Sequence, residues 1–121
     1  LIQNAVVRAN RYLEALKNRR YVEGTNVLDE EAFTQLVKAF SDAEGKGLTE
    51  YALLEILTGG NDHESVATAL GSAIRQTDYM GILKGGRLYV LLSNTNREGA
   101  EGIVERFKNA GYASRLEEAV L

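Results

Sequence analysis

The sequence predicts an α+β domain in which helices pack on a four-stranded antiparallel sheet of ferredoxin-like topology. Two observations lead to this fold class. Short, nearly continuous apolar runs and amphipathic helical segments follow one another as strand, helix, strand, strand, helix, strand, which is the split βαβ pattern. The 121 residues, 45% hydrophobic and 26% charged, have the length and balance of one globular domain.

Two helical segments precede the first strand. The first has apolar residues at helical spacing, Ile2, Val6, Ala9, Leu13 and Leu16. This amphipathic helix either packs on its own domain or connects to an upstream domain and pairs in a dimer. Asp29 is expected to cap the second helix, which ends before Gly45. The chain therefore divides into a connecting helix, residues 1–24, and a folded domain, residues 25–121.

The first strand and the helix after it are read from an apolar run and a polar cap. The run from Tyr51 to Leu57 is nearly continuous, as in a strand covered on both faces. Asn61, with Glu64 three places later, forms a pattern like a capping box and predicts a helix that continues to Ile74.

A hairpin and a further helix complete the pattern. Apolar runs over residues 79–83 and 88–92 flank a Gly-Gly connection, which favours antiparallel pairing. Thr95 and Glu98 form a second capping box, and Gly111 stands where a helix end favours glycine. The charged segment from Tyr112 onward predicts an edge strand.

Composition excludes several kinds of chemistry. The absence of cysteine rules out disulfides, thiolate zinc sites and a cysteine nucleophile, and the single histidine, His63, rules out a histidine-rich metal site. The net charge of −3 argues against nucleic acid polymers as partners. No segment approaches the ~20 apolar residues of a membrane span. We therefore expect a cytoplasmic domain.

Residues 78–95 resemble the hairpin region of GGDEF domains, the fold of diguanylate cyclases. The run DYMGILKGGRLYVLLSNT matches without a gap, and the five signature positions fall on residues 84–88, Lys-Gly-Gly-Arg-Leu, where only the second signature glycine survives. Residues 25–33 resemble the family's entry into its first helix, and residues 52–56 resemble its first strand. The resemblance covers about residues 25–121 and implies a GGDEF-type sheet.

Departures from the family pattern imply that the domain is not an enzyme. Cyclase chemistry needs carboxylates to hold divalent metal ions against a nucleoside triphosphate. Gly86 and Arg87 stand at the acidic signature positions, and Glu55, near the first-strand metal position, is a single carboxylate. Arg75 follows Glu55 by only 20 residues, too few for the family's usual guanine-binding helix and loop. We therefore expect no catalytic residues, no metal and no cofactor.

Arg75-Gln-Thr-Asp78, just ahead of the signature, resembles the Arg-x-x-Asp inhibitory site of GGDEF proteins. In that site the arginine contacts phosphate and guanine of cyclic di-GMP, and the aspartate accepts hydrogen bonds from the guanine edge. A third family residue, an arginine on the following helix, corresponds to Arg106. The resemblance thus implies a cyclic di-GMP site at Arg75, Asp78 and Arg106.

Among such receptors the chain most resembles the PelD type, in which a sensor domain feeds a connecting helix into a shortened, inactive GGDEF domain. This implies an upstream sensor domain, an inner-membrane anchor in the full-length bacterial protein, and control of exopolysaccharide synthesis and export in biofilm formation. The alternative is a degenerate GGDEF-like module that dimerises or docks another protein and binds no nucleotide.

Overall fold

A computed structural model describes residues 26–83 and 85–117, which form a mixed sheet with helices on both faces. The strands are β1 (Val27–Leu28), β2 (Tyr51–Leu57), β3 (Tyr79–Leu83), β4 (Arg87–Ser93) and β5 (Ala113–Leu116), and the helices are α1 (Glu30–Gly45), α2 (His63–Leu70) and α3 (Arg97–Asn109). The strand order is β1-β3-β4-β2-β5. The helix predicted within residues 1–24, Lys84 and residues 118–121 lie outside the described residues.

Strand pairing confirms the split βαβ core. β2 lies between β4 and β5 and is antiparallel to both, with Glu55 opposite Tyr89 on one side and Arg115 on the other. β3 and β4 form the predicted hairpin, and Gly85 and Gly86 take φ values of 78° and 89° in its turn. Those left-handed conformations are the ones that glycine adopts without a steric penalty.

The sheet has one strand more than the sequence predicts. β1 pairs in parallel with β3, Val27 opposite Met80 and Leu28 opposite Gly81, so the sheet is mixed rather than purely antiparallel. A strand of two residues carries no readable periodicity, and its pairing depends on a partner far along the chain. Both of its side chains are nonetheless buried.

Two apolar clusters cover the two faces of the sheet. The crossover helices α2 and α3 share one face, where Val66, Leu70 and Phe107 pack against alternate residues of β2 and β4. α1 covers the opposite face and packs Phe33 and Leu36 on it. The clusters leave the ends of the strands, and the loops that join them to α2 and α3, available for a site.

Three helix caps can be compared with the sequence. Asp29 caps α1 as predicted, accepting from the Ala32 N–H at 2.8 Å. The other two helices begin one residue later than predicted, because Asp62 rather than Asn61 caps α2 and Asn96 rather than Thr95 caps α3. α2 also ends at Leu70 rather than Ile74, since Gly71 and Ser72 begin a turn.

Candidate functional site

The loop from residue 71 to residue 78 joins α2 to β3 and carries the predicted Arg-x-x-Asp pair. The N–H of Asp78 donates to the carbonyl of Arg75 at 3.0 Å, which closes a turn over the four residues. Asp78 Oδ2 accepts from the N–H of Arg75 at 2.9 Å. The aspartate therefore fixes the backbone of the same turn from which Arg75 projects.

Arg75 and Asp78 also pair through their side chains in a two-pronged fork. Arg75 Nε donates to Asp78 Oδ2 at 3.1 Å, and Nη2 donates to Oδ1 at 2.9 Å. The Asp78 side chain has no exposed surface, whereas the Arg75 side chain is 47% exposed. The hydrogen bond to Asp78 raises the pKa of Arg75 above its ordinary value. The buried carboxylate of Asp78 thus holds the permanently charged guanidinium of Arg75 at the surface.

The same guanidinium reaches the turn between β4 and α3. Arg75 Nη2 donates to the Ser93 carbonyl at 2.9 Å and to Thr95 Oγ1 at 2.8 Å. The Ser93 hydroxyl donates back to the Thr77 carbonyl at 2.6 Å. These bonds tie the loop that enters β3 to the end of β4 and the start of α3.

Arg106, the third predicted residue, lies on exposed α3 surface and reaches the same loop. Its Nη1 donates to the Ala73 carbonyl at 3.4 Å. Ala73 is two residues before Arg75, so the side chains of all three predicted site residues meet at one loop. Two of them are guanidiniums with exposed surface.

Asp78 is less accessible than the resemblance implies. Its carboxylate accepts from the backbone and side chain of Arg75, and Oδ1 also accepts from the Ser93 N–H at 3.4 Å. In this conformation the buried carboxylate holds Arg75 and has no exposed surface. Direct contact with a guanine edge requires the fork to open.

At the hairpin end of the sheet, Glu55 is buried between two arginines. Arg115 donates from Nε at 2.9 Å and from Nη2 at 2.7 Å to Glu55 Oε1, and Arg87 Nη1 lies 3.4 Å from Oε2. Both carboxylate oxygens therefore have a cationic partner. The bond to Glu55 raises the pKa of Arg115. Sequence reasoning missed Arg115, and the only signal was its place in the predicted edge strand beside the first strand.

Two features are absent from residues 26–83 and 85–117. In that part of the chain no three His, Cys, Asp or Glu side chains are grouped as a metal site requires. None of the helices in the same ranges combines the length and apolar character of a membrane span.

Solved structures of diguanylate cyclase and GGDEF proteins resemble this chain. SiaD, a diguanylate cyclase of Pseudomonas aeruginosa solved with its activator SiaC, gives a TM-score of 0.59 at 17% identity over 95% of this chain and 54% of the SiaD chain. The chain thus spans about half the length of SiaD.

Two proteins of Caulobacter crescentus are also similar in structure. A sensory box/GGDEF protein gives a TM-score of 0.55 at 15% identity over 81% of each chain. The coiled coil and GGDEF domain of DgcB from C. crescentus, in complex with cyclic di-GMP, give 0.52 at 18% identity over 87% and 63%. The chain has a GGDEF-like fold.

Sequence comparison adds no closer relative. No protein-family model matches the chain, and no curated protein is significantly similar to it. Structural likeness at these identities identifies the fold, and one fold can carry different functions. The function must therefore be argued from the side chains of the site.

Proposed function

We propose that this chain is a non-catalytic receptor domain for cyclic di-GMP. The observation that carries the proposal is the Arg75–Asp78 fork at the entrance to β3, within a GGDEF-like fold, with the Arg106 side chain reaching the same loop from α3. Arg75 is the principal ligand contact, Arg106 is the second, and Asp78 completes the site. The domain has no catalytic residues and needs no cofactor.

The chemistry of the two arginines suits a cyclic dinucleotide. A guanidinium binds phosphate oxygens, and it also binds the O6 and N7 acceptors of guanine. Arg75 is held beside Thr95, just before α3, and Arg106 reaches from the last turn of that helix to the Ala73 carbonyl, two residues before Arg75. Two guanidiniums that meet at one loop can bind phosphate and guanine groups of the same dinucleotide.

The environment of Glu55 supports a non-catalytic role. A metal ion that activates a triphosphate needs carboxylate oxygens free to coordinate it. Both oxygens of Glu55 instead accept hydrogen bonds from arginine side chains. One of the two donors, Arg87, occupies a signature position at which the family pattern has an acidic residue. A cation placed there would repel a metal ion.

We further propose the context that the sequence resemblance implies. The receptor would follow a sensor domain in a longer bacterial protein anchored in the inner membrane, and it would regulate Pel-like exopolysaccharide synthesis and export, and so biofilm formation. Ligand binding acts on such a partner only through a difference in affinity between two states of the receptor. SiaD, a neighbour in fold, was solved with a partner protein, its activator.

Calorimetric titration of cyclic di-GMP tests the proposal. We expect saturable binding to the wild-type domain, no detectable binding to Arg75→Ala, and weaker binding to Arg106→Ala. Lys108→Ala is the matched control, because Lys108 is an exposed cation in the same turn of α3 as Arg106. It should bind like wild type. No heat from the folded wild-type domain at high ligand concentration would refute the receptor.

One observation favours the alternative, a dimerisation or protein-interaction module that binds no nucleotide. The Arg75–Asp78 fork already satisfies Asp78 and ties three segments together, as a purely structural ion pair would. In that case Arg75→Ala lowers the melting temperature, and cyclic di-GMP does not raise the melting temperature of the wild-type domain. A receptor is stabilised by its ligand through mass action.

A further inference from the structure

We propose that Thr95 is a positioning residue of the ligand site, whose hydroxyl fixes the Arg75 guanidinium with its Nη1 group toward the ligand. This inference rests on the proposed function, because it concerns how the same site is prepared for an anion. Neither the sequence pattern nor the family resemblance assigns Thr95 such a role, since the sequence predicts it as a helix cap.

The hydrogen-bond acceptors around the Arg75 guanidinium define the role of Thr95. Arginine has five N–H donors in a planar group. The Nε proton goes to Asp78, and the two protons of Nη2 are shared among three acceptors, Asp78 Oδ1, the Ser93 carbonyl and Thr95 Oγ1. Among the described residues, Nη1 has no hydrogen-bond acceptor. Its two protons are therefore the ones available to a phosphate or guanine oxygen.

The Thr95 hydroxyl is itself held in one orientation. Its Oγ1 donates to the Ser93 carbonyl at 2.8 Å, which leaves its lone pairs to accept from Arg75. Thr95 is buried, with 8% of its surface exposed. Asn94, between the two acceptors, has a φ of 50°, a left-handed conformation that asparagine tolerates better than most residues. The turn thus presents two acceptors to one side of the guanidinium while Asp78 holds the other.

A guanidinium held on two sides has already lost much of its rotamer freedom. A ligand that binds it pays less conformational entropy than one that must order a free arginine side chain. Removing the Thr95 acceptor should therefore weaken binding even though Thr95 itself touches no ligand. Thr95 shares Nη2 with two other acceptors, so we expect the loss of its hydrogen bond to change the affinity by roughly 3- to 10-fold.

The experiment compares Thr95→Val, which keeps the shape and removes the acceptor, with Thr95→Ser, which keeps the hydroxyl. Thr95→Ala is measured beside them, so that a failure of the valine variant to fold leaves the test intact. Thr68→Val is the matched control, because the Thr68 hydroxyl bonds only within α2, to the Glu64 carbonyl. Two quantities are measured: the Kd for cyclic di-GMP by calorimetry, and the solvent exchange rate of the Arg75 Nε–H by NMR without ligand.

We expect Thr95→Val and Thr95→Ala to accelerate exchange of the Arg75 Nε–H and to raise Kd about 3- to 10-fold. Thr95→Ser and Thr68→Val should change neither quantity. If wild type binds and the valine and alanine variants match it in both measurements, the inference is wrong and the receptor stands. If wild type does not bind, the receptor is refuted, and the exchange rates alone decide whether Thr95 holds Arg75.

Discussion

Gly81 in β3 lies against the ring of Phe33, and we expect Gly81→Ala to destabilise the domain strongly. A Cβ at residue 81 would lie 2.0 Å from Phe33 Cδ1 and 2.1 Å from Cγ. Carbon atoms in contact are separated by about 3.5–4.0 Å, so the two groups must move apart by about 1.5 Å. Phe33 is fully buried between α1 and the sheet. The Cβ of Phe33 would also lie only 2.6 Å from the new Cβ at residue 81, so rotating the ring does not relieve the clash.

Two known costs bound the magnitude. Overpacking a core costs about 1–3 kcal/mol. Driving Phe33 out of its place would cost as much as losing a buried phenylalanine, about 3–5 kcal/mol. We therefore expect Gly81→Ala to reduce the free energy of unfolding by about 3 kcal/mol, measured by urea denaturation. The corresponding fall in melting temperature is about 10–15 °C.

A control and a double mutant separate this clash from a general effect of alanine. Gly102, on the exposed side of α3, has no atom within 4 Å of a Cβ built on it. Gly102→Ala should therefore stabilise the domain by about 0.5–1 kcal/mol. Phe33→Ala removes the ring but keeps the Cβ, so Gly81→Ala should cost less in the Phe33→Ala background than it does in the wild-type domain. Additive effects in the double mutant, or a Gly81→Ala variant as stable as wild type, would refute the steric argument.

Three further predictions concern a cap, pH and catalysis. Asn96→Ala should lower the free energy of unfolding by about 1 kcal/mol, because the Asn96 side chain accepts from the Gly99 N–H at the start of α3; wild-type stability in denaturation would contradict this. The hydrogen bond from the Ser65 N–H lowers the pKa of Asp62, so its stabilising contribution is present above the unfolded pKa of about 3.9 and is lost as pH falls through the folded value. Asp62→Asn should therefore reduce the loss of unfolding free energy between neutral and acid pH, measured by denaturation at several pH values. An unchanged loss would show that other carboxyl groups cause it. Incubation with GTP and Mg²⁺ should yield no cyclic di-GMP by chromatography, and any product would overturn the proposal that the domain is inactive.

The sequence was sufficient for those parts of the fold that depend on local pattern. The apolar run of β2, the Asp29 cap and the Gly85–Gly86 turn each follow from neighbours a few residues apart. β1 could not be predicted, since its two residues are defined by pairing with β3. The α3 cap falls on Asn96 rather than Thr95, and the Thr95 hydroxyl instead contacts Arg75, a partner 20 residues earlier in the chain.

In the candidate site, too, contacts between residues close in sequence could be predicted, and contacts between distant residues could not. Arg75 and Asp78 are three residues apart, so their proximity could be foreseen, although their mutual fork and the burial of Asp78 could not. Thr95 contacts Arg75 across 20 residues because β3 and β4 pair, and Arg115 contacts Glu55 across 60 residues because β5 pairs with β2. The sequence could not give the partners of these side chains, because the fold determines which residues they contact.

The most direct test of the receptor is an NMR titration of the isotopically labelled domain with cyclic di-GMP, following backbone amides. We predict saturable shift changes concentrated in residues 71–78, in the turn that contains Thr95, and in α3 around Arg106. Amides near Glu55 and the Gly85–Gly86 turn should change little. An absence of shift changes, or changes confined to the hairpin end of the sheet, would contradict the proposed site.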